Sequence, residues 1–599
     1  MKKLIIGLFS SILLLSCTES SEGFLDSKGK ESDDLEAIFA DSTKTIQFQA
    51  ATYYSLGRAI MSPHGYAKSP YTQFKDYEAG TDNSRVDYFR VTEFTPAYTK
   101  GDFSQAGGNA NFTDFRIGWQ DMYTGINRCN SFLLNYQKAP LTQEMKERMA
   151  LEARCLRAFY YFHLVRQYGG VPLLIDENGQ GILVDPFEPI RASRSTFEDC
   201  INYIVKELEA CADPQTGLPL EYESRDYGRV TRGSALGLLT YVYAWAASPL
   251  FNGNNIGNGA NRLLVGYDDY KKERWQNVVT AAEKLMALDE HELIVDNATR
   301  PGYGFYIATT ERSNKERIFF FLASKHGNWP HKYLLPPSRS GLSNKIWPYH
   351  ELTEAFPTKD GKPIGEDNPM YDNAKPYDNR DPRFYNTFLY NGAPYVNSNT
   401  SSEKIPVHTY RGAPRDGYGG TGGATPTGYF YRKGLDESKT ASVATEGQGL
   451  SFIRYASIML FYAEALTELD VNANRDKIEK QLFDIRERAG IEAGNDGRYG
   501  VPVNMNKDEM IEFIINERRI EFANETGNRF WDLKRRKTYE NLHEMWNSAA
   551  VWEGEAAAGS SWEIVPIEQH FFYERMYFSA IPQYDINASH GNLIQNPGW

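Results

Sequence analysis

The sequence predicts a mainly α-helical protein, a tetratricopeptide-like scaffold of stacked helices that carries a large loop-rich region. Three observations lead there. Apolar residues recur with the helical period in a series of segments along the chain; several of those segments place small residues on the packing face; and the periodicity fails between about 300 and 450. At roughly 150 residues per domain, a chain of 599 residues could form up to about four domains, but a helical stack needs only one extended architecture. Hydrophobic residues make up 41% and charged residues 24%, which excludes a disordered or collagenous chain. A formal charge of −13 argues against a nucleic-acid binder, and a mean hydropathy of −0.54 against a polytopic membrane protein. The aromatic load is heavy, with 39 Tyr, 33 Phe and 10 Trp. Tyrosine joins a flat apolar ring to a polar tip, which suits a wet surface that must bind.

The first sixteen residues read as a signal peptide. Met1-Lys2-Lys3 is a basic start, and Leu4 to Leu15 is an apolar run too short for a bilayer, which takes about 20 residues. It ends in Leu14-Leu15-Ser16-Cys17, similar to a bacterial lipobox, so Cys17 is the expected lipidation site. Losing Lys2 and Lys3 brings the formal charge from −13 to −15. Residues 17–34 are polar and acidic and read as a flexible tether.

Helices are expected at about 44–62, 112–137, 151–165, 195–212, 231–248, 271–289, 453–470, 475–489 and 507–523. In the third, positions 151, 155, 158, 159, 162 and 165 form one apolar face and Leu156, Tyr160 and Leu164 a second, so it must be covered on two sides. Tyr168-Gly169-Gly170-Val171-Pro172 stops it. Ala235, Gly237, Ala244, Ala246 and Ala247, and later Ala456, Ala463 and Ala465, let helix axes approach closely. Asn506 with Glu509 has capping-box spacing at the start of the last helix. Cys129, Cys155, Cys200 and Cys211 lie in helical contexts without a CxxC, and are read as small buried hydrophobes.

No nucleophile elbow, HExxH or Walker loop is present. Gly417 to Gly422 spells GxGxxG, but with Pro414 before it and Pro426 after it there is no strand and helix to make a dinucleotide site. Glu517, Arg518, Arg519 and Glu521 lie on one helix, where Arg518 and Glu521 have i,i+3 spacing; a solvated or inter-helix salt bridge is expected. His326 and His331 are a weak metal signal. Asp367, Asn368, Asp372, Asn373, Asp378 and Asp381 could hold a structural calcium ion, though turn chemistry fits them better. No other cofactor or metal is expected, and a paired-carboxylate glycan hydrolase is the alternative that counting acids does not exclude.

Several stretches taken together resemble one family. They include Trp119-Gln120-Asp121-Met122-Tyr123, Ala153 to Tyr161 running into Tyr168-Gly169-Gly170-Val171-Pro172, and Gly228-Arg229-Val230-Thr231-Arg232-Gly233. Later come Pro336-Pro337-Ser338, Arg380-Asp381-Pro382-Arg383, Tyr462-Ala463-Glu464-Ala465, Glu517-Arg518-Arg519, Arg529-Phe530-Trp531-Asp532-Leu533 and the terminal Gln595 to Trp599. In this order, behind a lipobox, they resemble the SusD/RagB family of outer-membrane nutrient-binding lipoproteins, of the starch-utilisation-system type. The resemblance implies an N-terminal helical region at 35–300 and a C-terminal region at 301–599, with irregular loops at 300–450 and closing helices at 453–540. It implies a lipid anchor on the exterior of the outer membrane. It further implies non-catalytic binding of oligosaccharide or polysaccharide, or of peptide in some members, and a partner TonB-dependent outer-membrane transporter (SusC-like). The tether departs from the lysine-and-aspartate-rich stretch expected for surface export. By position in the family, ligand loops fall at roughly 64–112 and 300–350. The first offers Asp82, Asn83, Arg85, Tyr88, Phe89 and Asn109; the second Tyr303, Phe305, Tyr306, Trp329, His331 and Trp347. Trp329 is the leading candidate for stacking on a sugar ring. A helical assembly adaptor without a small ligand is a further alternative.

Overall fold

The computed structural model describes residues 35–56, 77–78, 80–86, 99, 114–184, 188, 190–322, 329–341, 346–442, 449–555 and 559–599, with side chains at all of these but 86, 114–117, 260, 329 and 330. A first stack contains α1 (Ser42–Thr52), α2 (Asp114–Asn135), α3 (Gln143–Tyr168), α4 (Phe197–Ala212), α5 (Arg232–Ala247) and α6 (Arg274–Met286), each packed on the next except that α1 sits on both α2 and α3. Local chemistry starts these helices: the side chains of Asp41, Thr142 and Thr196 accept hydrogen bonds from Lys44, Met145 and Asp199 N–H, and Thr231 with Ser234 closes a capping box.

The two apolar faces of α3 are both covered: Cys155, Leu156, Phe159, Tyr160, Phe162, Leu164 and Val165 are all buried. Its end follows the glycine signal. Gly169 has φ +79°, and a Cβ there would lie 2.3 Å from the Leu264 carbonyl oxygen, so neither the backbone nor the space tolerates a side chain.

Between the first stack and the closing helices runs a segment of short elements: α7 (Tyr303–Thr310), α8 (Trp329–Leu334), α9 (His350–Ala355) and α10 (Pro382–Thr387). Among the described residues the strands are short and form five antiparallel pairs. They are β1 (Ser84–Val86) with β3 (Ile346–Pro348), β2 (Arg317–Phe321) with β8 (Leu450–Arg454), β4 (Phe388–Leu389) with β7 (Phe430–Tyr431), and β5 (Pro394–Val396) with β6 (Lys404–Pro406). The last pair, β9 (Trp546–Trp552) and β10 (Trp562–Gln569), is a hairpin with an irregularity at Pro566. The loop-rich segment encloses a core of its own, built on Leu335, Leu352, Phe356, Phe384, Phe388, Tyr395 and Tyr431.

The closing helices α11 (Tyr455–Asp470), α12 (Arg475–Arg488), α13 (Lys507–Glu521) and α14 (Asn528–Arg535) complete the scaffold, with α11 packed on α5, α6, α12 and α13. Small residues do what their size suggests. A Cβ at Gly237 would meet Ile318 at 2.9 Å, so its absence lets β2 lie against α5. Asn506 and Glu509 form the capping box that starts α13. The main core is continuous from Phe39 to Leu593 and crosses residue 300. No helix among the described residues is long and apolar enough to cross a membrane.

Cys129, Cys155, Cys200 and Cys211 are free, buried thiols. Arg518 and Glu521 do not pair with each other: Arg518 binds Asp532 at 2.8 Å, while Glu521 binds Arg383, Arg454 and Arg488. Both are buried, so the expected i,i+3 pair is replaced by an ionic lattice between elements.

Candidate functional site

The strands β1 and β3 join the two segments singled out from the sequence. Arg85 lies opposite Trp347, and the Tyr349 N–H donates to the Asn83 carbonyl at 2.9 Å. Buried charge fixes this junction. Arg529 donates to both oxygens of Asp82 at 2.9 Å each, and Arg519 approaches the same carboxylate at 3.1 Å. Burial opposes ionisation of Asp82, but Arg519 and Arg529 outweigh it and hold the carboxyl well below the usual range. The Asn83 side-chain oxygen accepts from Arg519 at 2.8 Å and its amide donates to Glu78 at 3.2 Å.

Asp82 and Asn83 therefore do not present free polar groups to a ligand; they tie β1 to α13 and α14. The ligand-facing role expected for them is corrected to a structural one. Trp347 is corrected likewise, being 4% exposed and packed in the core of the loop-rich segment. Arg85 differs. It is only partly buried, and its guanidinium has no hydrogen-bond or ion-pair partner among the described residues. A cation without a partner among the described residues, at the seam of two loops, suits a hydroxyl-rich or anionic ligand.

The hairpin β9–β10 flanks this seam. The Tyr349 hydroxyl donates to Glu568, and Phe571 N–H donates to the Thr99 carbonyl at 2.6 Å, which places Thr99 beside the end of the hairpin. Trp546, the first residue of β9, is 52% exposed. The sequence reading passes over Trp546, whose signal would have been a tryptophan in a stretch without helical period. An open indole face near the seam suits the C–H side of a sugar ring.

The other expected residues gather around the turn at Asp436 and Glu437. Tyr303 and Tyr306 stack with centroids 5.5 Å apart and an interplanar angle of 26°, and the Arg300 guanidinium lies 4.9 and 5.0 Å from their ring centres. The Tyr306 hydroxyl accepts from Glu437 N–H at 3.2 Å, while its burial pushes the phenol up to about 12. His331 is fully buried, with its Nε2 3.1 Å from the Asp436 carbonyl, and burial lowers its pKa. Its expected ligand contact is thus corrected to a structural one. Phe305 is also buried. Beside Arg300 opens a cavity of about 590 Å³, whose basic lining the sequence reading did not find because it comes from distant segments.

Cys17, Tyr88, Phe89, Asn109 and His326 lie outside the described residues, as does the side chain of Trp329, the first residue of α8. Among the described residues no three His, Cys, Asp or Glu gather as a metal site. The acidic-amide run serves turns instead: Asn368 bonds Thr358 and Pro363, Asp372 accepts from Ala374 N–H, and Asp381 caps α10 and pairs with Arg383. Gly417 to Gly422 is a turn between β6 and β7, with neither strand nor helix adjoining it.

Comparison with known proteins gives a consistent answer. A model of the SusD family matches residues 308–599, and a SusD-like model described as starch-binding and associating with the outer membrane matches residues 38–244. A SusD-like protein of Bacteroides ovatus is 23% identical over 265 residues, which is 44% of this chain and 43% of that one, so the match spans less than half of the relative's length. A solved SusD-like structure from Bacteroides fragilis has 22% identity and a TM-score of 0.73, covering 94% of this chain and 98% of its own. A SusD-like carbohydrate-binding protein from the same organism has 22% identity and a TM-score of 0.70, covering 92% and 99%. With its two halves matched by models of one family and nearly its whole length sharing that family's architecture, the chain belongs to the SusD/RagB family.

Proposed function

We propose that this protein is a non-catalytic glycan-binding lipoprotein of the outer membrane, anchored through Cys17 and facing the cell exterior. It holds oligosaccharide at the seam of β1 and β3 and passes it to a TonB-dependent transporter. The observation that carries this reading is the seam itself: it joins the two family ligand segments, leaves Arg85 without a partner among the described residues and has the open ring of Trp546 on the flanking hairpin. The carbohydrate-binding relative of the same fold and the outer-membrane description of the N-terminal family model support it. Many weak contacts on an open face give modest affinity and fast release, which suits delivery.

A thermal-shift and calorimetric screen against polysaccharides, oligosaccharides and peptides tests the reading. The expected result is a glycan that raises the melting temperature and is recovered uncleaved. Arg85→Ala, Trp546→Ala and Trp329→Ala should each weaken it by about tenfold, the scale of one charge-assisted hydrogen bond or one ring contact. Shortening of the oligosaccharide by pure protein, abolished by replacing one carboxylate, would overturn it. Stabilisation by peptides alone would move the assignment to a peptide-binding member.

A further inference from the structure

A second site lies away from the seam, in the cavity beside Arg300. Five cations line it: Arg300, Lys359, Arg380, Lys404 and Arg432. Two carboxylates answer them. Glu437 contacts Arg300 at 2.6 Å, Arg432 at close range and Lys404 at 3.6 Å, and Glu492 contacts Lys359 at 2.9 Å. Burial opposes ionisation of Glu437, but Arg432 and Arg300 hold its carboxyl down to about 2, so this anion is already committed. A surplus of three positive charges remains in one concave place, on a chain whose formal charge is −13. The concentration of cations runs against the composition and is not its by-product.

Two of these cations are themselves buried in the cavity wall. Arg432 is 8% exposed and Arg380 3%, and the Nε of each is buried without a hydrogen-bond partner. Those N–H groups are enclosed, so an oxyanion entering the cavity would meet the charge of the guanidinium groups together with the ammonium groups of Lys359 and Lys404. Tyr385 lines the cavity and supplies an aromatic ring beside the charge, while the stacked pair of Tyr303 and Tyr306 lies behind Arg300 and holds its guanidinium. Clustered cations next to an aromatic ring match a sugar that carries a carboxylate or a sulfate ester.

We propose that this cavity is a second binding site, for the anionic group of an acidic oligosaccharide. The glycan part of the inference rests on the function proposed above; the oxyanion part rests on the cavity alone. Lys359 and Lys404 are 41% and 39% exposed at the side chain, so replacing them tests the charge without emptying a core.

The full mature chain and its Lys359→Ala/Lys404→Ala double variant would be titrated by calorimetry with an oligogalacturonate, a sulfated galactan oligosaccharide, a neutral malto-oligosaccharide and sodium sulfate, each at low and at 0.3 M salt. The expected result is that at least one acidic oligosaccharide binds, that the double variant weakens it by about tenfold or more, and that salt weakens it too. The two acidic arms decide between carboxylate and sulfate, and binding of sodium sulfate as tight as either would reduce the site to a bare anion site and overturn the glycan part. Acidic binding that is equal in both proteins, or absent altogether, would overturn the proposal. Neutral glycan binding that persists in that case would leave the seam reading standing, whereas acidic binding without any neutral binding would support this site independently of the seam.

Discussion

Glu78 shows how a single side chain near the seam can set a pH dependence. It is buried, and among the described residues one of its oxygens has no hydrogen-bond partner and the other accepts only from Asn83. Burial raises its pKa to about 8, more than the Asn83 hydrogen bond and the Lys433 charge can offset. The folded-state pKa is raised above the unfolded value of about 4.5, so between these two the folded chain holds one more proton than the unfolded one. Its contribution to stability is full below about pH 4.5 and is lost as pH rises through about 8. Glu78→Gln keeps the neutral shape at every pH. Relative to wild type, it should gain stability between pH 6 and pH 9, by of order 2 kcal/mol at 1.36 kcal/mol per pKa unit of linkage. Denaturant unfolding at the two pH values reads this directly, and an equal difference at both would refute it. The same neighbourhood explains why the sequence misjudged Asp82 and Asn83. Both are polar residues in a loop, and nothing local reveals that Arg519 and Arg529, more than 430 positions away, will bury them.

The elements are held in register by buried charge as much as by apolar faces. Glu517 and Glu521 lie one turn apart on α13 and both turn inward. Arg383 at the start of α10 bridges them, Arg486 of α12 reaches Glu517 at 2.9 Å, and Arg488 and Arg454 reach Glu521 from α12 and the end of β8. Burial opposes ionisation of Glu521, but Arg488, Arg454 and Arg383 prevail and hold its carboxyl at about 2. Glu521→Gln should therefore destabilise by about 3–5 kcal/mol, because it leaves buried guanidinium groups uncompensated. Asn506→Ala removes a solvent-exposed cap on the same helix and should cost only about 1 kcal/mol. Chemical denaturation of both variants checks the ranking, and equal losses would contradict it. The helices themselves were legible because each has a covered stripe with a 3.6-residue period. The β9–β10 hairpin was not, since Asn547 to Trp552 are buried at every position and show no alternation to read. The loop-rich segment hid its short elements for a related reason: its core is assembled from two- and three-residue strands too short to carry a period.

At the scale of the molecule, the division at residue 300 implied by the family resemblance meets a core that does not stop there. Phe159 of α3 packs against Phe319 and Phe452 at 4.9 and 5.1 Å between ring centres, Tyr241 of α5 against Phe461 at 4.8 Å, and Trp245 against Trp531 at 6.1 Å. The chain terminus closes the same assembly. Asn596 donates to the Tyr168 carbonyl at 3.0 Å, and Arg194 donates to Asn596 at 2.9 Å, so the last residues seal the end of α3. A fragment comprising residues 35–300 would expose the faces of α3, α5 and α6 that α11 and β2 now cover, and a domain that cannot bury its own apolar surface does not hold a fold. Expressed alone, this fragment should show no cooperative thermal transition by circular dichroism, whereas a chain comprising residues 35–599 should. Adding 301–599 in trans should restore the transition if the two halves complete one core. A fragment that melts cooperatively on its own would make the two regions independent domains, and the seam between β1 and β3 would then be an interface between folded units instead of a product of one fold.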